Sequence, residues 1–88
     1  MSEFCRLRWE HPDNCRYYEV TLSQDLFGDW CLRQLWGRKG SRLGQVRQRL
    51  VESFEAGQGV IAAIDKRRHR HQYVLTLQRG TTIWEVSR

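Results

Sequence analysis

The sequence predicts a single α+β domain: an antiparallel β-sheet of about four to six strands with one α-helix packed on one face. Three observations carry that expectation. Short runs of alternating apolar and polar residues, separated by turn-forming residues, recur through the first fifty positions. A longer stretch, residues 54–70, instead repeats apolar residues at helical spacing behind a capping serine. Finally, 88 residues that are 40% hydrophobic, with four Trp, three Tyr and three Phe, suffice for one core and no second one.

Residues 4–9 read Phe-Cys-Arg-Leu-Arg-Trp, a strand with one wet face. The polar stretch 10–14 then turns the chain, with Pro12 fixing φ and Asp13 and Asn14 tolerating unusual backbone. Residues 17–22 alternate again: Tyr18, Val20 and Leu22 fall on one side, Tyr17, Glu19 and Thr21 on the other. A turn at Phe27, Gly28 and Asp29 leads into a third strand over 30–36, and the three strands form a meander. Gly37, Gly40 and Gly44, with Arg38, Lys39, Ser41 and Arg42 between them, read as a loop that turns tightly or approaches a ligand closely. Residues 45–51 make a fourth strand, with Arg47 and Arg49 facing one way and Val46 and Leu50 the other.

Ser53 caps a helix running from about Phe54 to Arg70, with Glu55 in its first turn and cations in its last to suit the dipole. Phe54, Val60, Ile61 and Ile64 form its apolar stripe. Gly57 and Gly59 cost about 1 kcal/mol each relative to Ala, which points either to close packing on the sheet or to a helix start near Gly59. Residues 73–77 are the last clear strand, 78–81 a turn, and 82–86 a short edge strand folding back. The core of the domain is therefore expected over about 4–77, with the C-terminal turn and edge strand over 78–88.

Charge is unevenly placed. The net charge is +5, yet residues 1–29 carry three cations against six anions and residues 30–88 twelve cations against four anions. No acid occurs between Trp30 and Val51, where Arg33, Arg38, Lys39, Arg42, Arg47 and Arg49 all fall. A second cluster, Lys66, Arg67, Arg68, His69, Arg70 and His71, follows. Thirteen of the fifteen cations are Arg, which favours forked contact with phosphate or stacking. Such a field attracts nucleic acid without identifying it.

Other classes find little support. The longest apolar run, 60–64, is far too short to cross a membrane, and the first residues lack the apolar stretch of a signal peptide. Cys5, Cys15 and Cys31 cannot all pair within one chain and form no CxxC, which suits reduced thiols in a cytoplasm. Cys5, His11, Cys15 and Cys31 match none of the usual zinc spacings, so no metal and no cofactor is expected. His69 and His71 stand two apart on a helix and do not face one another as an acid–base pair would. Phosphate-loop, dinucleotide, hydrolase-elbow and metalloprotease motifs do not occur, and an enzyme is not expected.

Trp36-Gly37-Arg38 stands where the third strand meets the basic loop. An exposed Trp beside Arg stacks on a base or sugar while the guanidinium holds a phosphate; alternatively Trp36 anchors the core and Gly37 makes the turn. Tyr17-Tyr18-Glu19-Val20-Thr21-Leu22, Leu26-Phe27-Gly28-Asp29-Trp30, Leu32-Arg33 and Leu35-Trp36-Gly37-Arg38, in that order, resemble the WGR domain. Gly40-Ser41 stands where that family commonly has Gly-Thr, and Lys39 where an aliphatic residue is usual. The resemblance implies a compact antiparallel sheet with one helix. It also implies a module found in eukaryotic poly(ADP-ribose) polymerases, in some bacterial regulators, and as small stand-alone bacterial proteins like this chain. In the polymerases it binds near the end of a broken duplex, where the residue matching Trp36 packs on the terminal nucleotide. The residue matching Arg38 there joins DNA to neighbouring domains; without them, direct phosphate contact is expected of Arg38. No ADP-ribosyl transfer is carried over.

The expected function is thus non-enzymatic binding of nucleic acid, DNA above RNA, at duplex ends or nicks and with little sequence preference. Trp36 would stack at the terminus, with Gly37 removing a side chain that would hinder the approach. Arg38, Lys39 and Arg42 would hold the adjacent phosphates, extended by Arg47, Arg49, Lys66, Arg67, Arg68 and Arg70. The expected location is the cytoplasm, in association with the nucleoid. The alternative is a module that docks on an acidic partner protein through Trp9, Tyr17 and Trp84 as exposed aromatic anchors.

Overall fold

The alternating runs become five strands. A computed structural model of the chain describes residues 3–86, with β1 (Cys5–Glu10), β2 (Arg16–Gln24), β3 (Trp30–Arg38), β4 (Gly44–Val51), α1 (Phe54–Arg70) and β5 (Val74–Gly80). They form one sheet in the order β4-β3-β2-β1-β5, with every neighbouring pair antiparallel. Strands β1 to β4 are a meander. The chain then crosses the sheet through α1, because β5 lies beyond β1 at the far edge. The expected α+β architecture is what forms.

The period of two decides which face the helix covers. Cys5, Leu7 and Trp9 of β1, Val20 and Leu22 of β2 and Leu32 of β3 are buried with Phe54 and Ile61 of α1. Burial places two of the three cysteines as small apolar residues, Cys5 and Cys31, while Cys15 is exposed. Cys5 is fully buried and its thiol is pushed up to about 11, the burial outweighing a hydrogen bond with Gln58. Trp9 is 1% exposed, the largest of the fully buried side chains. This corrects the expectation of an exposed aromatic there. Its indole Nε1 donates to Asp65 Oδ1 at 3.1 Å, and Trp84 Nε1 donates to Asp65 Oδ2 at 3.4 Å, so α1 is fastened to β1 and to the C-terminal segment by one buried carboxylate. Hydrogen bonding makes that burial tolerable.

Helix α1 begins where the cap requires. Ser53 is extended and its Oγ accepts from Ala56 N at 3.0 Å. The two glycines in its first turns then part company. A Cβ at Gly57 would stand 2.6 Å from Leu22 Cδ1, whereas one at Gly59 would meet nothing within 4 Å. Gly57 therefore lets the helix rest on β2, and Gly59 has no packing role. Gly59→Ala is expected to stabilise the domain by up to about 1 kcal/mol through helix propensity. Gly57→Ala should instead destabilise it by about 1–2 kcal/mol, because the fully buried Leu22 side chain would have to shift within the core. Urea melts of the two variants will give opposite signs if the packing is as described.

The C-terminal region departs from expectation. Strand β5 continues through Gly80 rather than turning at 78–81, and 82–86 form no edge strand; residues 87 and 88 lie outside the described residues. The reason is Gln58, whose buried amide takes the place of a strand partner. Its Nε2 donates to Thr81 O at 2.7 Å and its Oε1 accepts from Ile83 N at 3.0 Å. The segment thereby runs along α1, with Val86 completing the core.

Candidate nucleic-acid interface

Three aromatics stand side by side across the sheet. In register, Trp9 of β1 faces Tyr18 of β2, and Tyr18 faces Trp36 of β3. The ring centroids of Trp9 and Tyr18 are 6.2 Å apart at 60°, and those of Tyr18 and Trp36 5.8 Å apart at 13°. Tyr18 and Trp36 are thus stacked, and the stack runs across the strands toward edge strand β4, where Gln45 is the next residue in register. Trp36 is neither core anchor nor free side chain. It is half-buried, the outer member of a ladder whose inner member is buried under α1.

Gly37 belongs to β3 and pairs with Gly44 of β4, so the loop is only 39–43. A Cβ on Gly44 would be 3.1 Å from Tyr17 Oη, and one on Gly37 3.5 Å from Tyr17 Cε1 and 3.2 Å from Gly44 Cα. The glycine pair is therefore where Tyr17 crosses the open face of the sheet. Gly37 makes room for a neighbouring ring on the side away from Trp36.

The helix end closes a groove beside Trp36. Tyr18, Gln34, Trp36 and Arg47 from the sheet and Ile64, Arg67 and Arg68 from α1 line it. The Arg68 guanidinium lies 4.7 Å from the Tyr18 ring centre and 5.1 Å from that of Tyr73, which holds a cation against the back of the ladder. His11, Asn14, His71 and Tyr73 continue the groove past Arg67 and Arg68. Arg38 is exposed one strand step beyond Trp36 on the same face, in register with Arg16 of β2. Arg47 and Arg49 also lie on the helix side of the sheet, since Gln34 and Leu32 are their partners. Val46 and Leu50 point to the open side and are 57% and 63% exposed.

The anticipated basic residues thus divide by position. Trp36, Arg47, Arg67 and Arg68 come together in the groove, and Arg38 stands two residues along β3 from Trp36 on the same face. Arg49 stands two residues along β4 from Arg47, and Arg42 is exposed in the 39–43 loop. Lys66 and Arg70 are exposed on α1 and do not line the groove. Lys39 is held elsewhere: its Nζ is 2.8 Å from Glu10 Oε1. Tyr18, Gln34 and Tyr73 are among the groove residues that sequence reasoning passed over, as is Arg16, which stands in register with Arg38. The alternation of 16–24 with 30–38 in a hairpin was the available signal for Arg16 and Tyr18.

The ion pairs among the described residues are Arg6–Glu19, Arg8–Glu10, Arg8–Glu19 and Lys39–Glu10. All of them use Glu10 or Glu19, which face the open side of the sheet. None of them involves an arginine of the groove. Two of the six acids in the first 29 residues, Glu10 and Glu19, are therefore paired on the opposite face and leave the groove arginines free of them.

Hydrogen bonds from Lys39 first, and then Arg8, hold the Glu10 carboxyl below its ordinary value. A depressed folded-state value means stability that is present above the ordinary carboxylate pKa and is lost as the pH falls through the lower folded one. Lys39→Met removes the larger cause. The Glu10 carboxyl midpoint, followed by carbon-detected NMR, should move up toward the ordinary value, and acid unfolding should begin at higher pH.

The profile of the WGR domain matches residues 3–76. The chain belongs to the WGR domain family. Comparison with curated proteins and with solved structures returned no match. WGR domains are a nucleic-acid-binding type of module rather than a catalytic domain, and the match extends over the sheet through β4, over α1 and into β5. Among the described residues no three His, Cys, Asp or Glu converge as metal ligands would, and no helix is long and apolar enough to cross a membrane.

Proposed function

We propose that this WGR domain binds duplex DNA at ends or nicks, without catalysing a reaction on it. The observation that carries the reading is the stacked pair Tyr18–Trp36 beside arginines outside the salt bridges found among the described residues. A terminal base pair laid on the outer face of Trp36 extends an existing ladder, so the platform is ordered before the ligand arrives. Arg38 and Arg47 flank that position and contact the adjoining phosphates. Arg67 and Arg68 do so from the helix side, and Arg16, Arg42 and Arg49 extend the path. Lys66, Arg70 and Lys39 add long-range attraction. An end is favoured over continuous duplex because only an end offers an unstacked base-pair face. Contacts to phosphate position the duplex without reading its sequence.

The test is a titration of labelled blunt hairpin DNA against a closed circle of the same composition. Preference for the hairpin is expected, with log K falling against log salt at a slope of about −4 if four to five phosphates are neutralised. Equal affinity for both removes end recognition. A matched RNA hairpin decides between DNA and RNA.

A further inference from the structure

Binding at the groove uses one side of β4 and leaves the rest of that strand without a role. Strand β4 is an edge of the sheet, eight residues long and free of proline, and every residue from Gly44 to Leu50 is exposed. Its outer backbone groups have no strand beyond them. On its open side Val46 and Leu50 stand in register with Leu35 and Cys31 of β3, an apolar row that stops at the edge. On its helix side Arg47 and Arg49 project. Nucleic acid supplies neither strand hydrogen bonds nor a cover for Val46 and Leu50.

We propose that β4 receives an extended acidic segment of a partner protein, which adds a sixth strand to the sheet. Antiparallel neighbours directly opposite one another point to the same face. The added strand therefore needs apolar residues opposite Val46 and Leu50 and carboxylates opposite Arg47 and Arg49. A second copy of this chain does not fit. Two β4 strands paired about a two-fold axis centred on Arg47, Gln48 or Arg49 place arginine opposite arginine, the arrangement by which edge strands avoid self-pairing. The occupant is thus a strand of opposite charge in which acidic and apolar residues alternate, taken up by main-chain pairing with side chains selecting it.

The test uses the full chain, isotope-labelled, titrated with the capped peptide Thr-Val-Glu-Thr-Glu-Val-Thr and with the same peptide bearing Lys for Glu. Strand addition predicts shifts and slowed hydrogen exchange at the amides of 45–50, and about tenfold tighter binding of the Glu peptide. Arg47→Glu combined with Arg49→Glu should invert that order. Absence of any shift at millimolar peptide overturns the proposal. Shifts confined to Trp36 and the end of α1, without slowed exchange in β4, overturn it equally, since the peptide would then be acting as a polyanion in the groove. Neither outcome touches end binding by DNA, which the hairpin titration measures separately.

Discussion

Trp9→Ala should strongly destabilise the domain. The indole is 1% exposed and packs between β1 and α1, so truncation costs about 3–5 kcal/mol in lost burial and residual cavity. It also removes the indole N–H that donates to Asp65 Oδ1 inside the core. A domain of this size has roughly 4–13 kcal/mol to lose, scaling with chain length. Trp9→Phe separates the two contributions. It keeps most of the ring and loses the N–H, for which about 1–3 kcal/mol is expected. Urea denaturation followed by far-UV circular dichroism measures both. A wild-type midpoint for Trp9→Ala would show that the Trp9–Asp65 tie does not hold α1 to the sheet.

Trp36→Ala is the corresponding change for binding. Stacking of a base on an aromatic ring is worth about 1–3 kcal/mol, or roughly 5- to 150-fold in affinity. The fold should survive, because Trp36 sits at the outer end of the ladder and Tyr18 is still packed against Trp9 and Arg68. Trp36→Phe should recover most of the affinity by keeping a stacking face. Arg70→Ala, outside the groove lining, removes one peripheral charge and should weaken binding by less than about threefold. Fluorescence anisotropy with a blunt hairpin, at a single salt concentration, compares the three. If Arg70→Ala costs as much as Trp36→Ala, binding is electrostatic adhesion and the ladder is structural.

Much of this was legible in the residues. Period-two alternation located β1, β2 and β4 to within two residues at each end, because one wet and one dry face leave that mark. The helix bounds, 54 to 70, followed from Ser53 and the run of cations. Alternation says which residues share a face but not which face is covered. On β4 the hydrophobic choice would have put Val46 and Leu50 on the helix side, yet the register with β3 puts the exposed Arg47 and Arg49 on that side. Trp9 ends an alternating strand, where an indole reads equally as anchor or as surface; only Asp65, 56 residues away, decides it. The 82–86 segment has the composition of a strand, but the Gln58 amide satisfies its backbone first. Such long-range pairings leave no periodic signature.

By itself the sequence determined the class of fold, the helix and its cap, and the WGR motif with its surplus of arginine, since these rest on local preference and short spacing. Tertiary structure alone decided where the charge acts. Pairing β2 with β1 lines Glu10 and Glu19 up with Arg6, Arg8 and Lys39 on the open side, and folding α1 over the sheet brings Arg67 and Arg68 to Trp36. A net charge of +5 cannot report that separation. Electrostatic attraction depends on distance and face, and those exist only once the strands are in register.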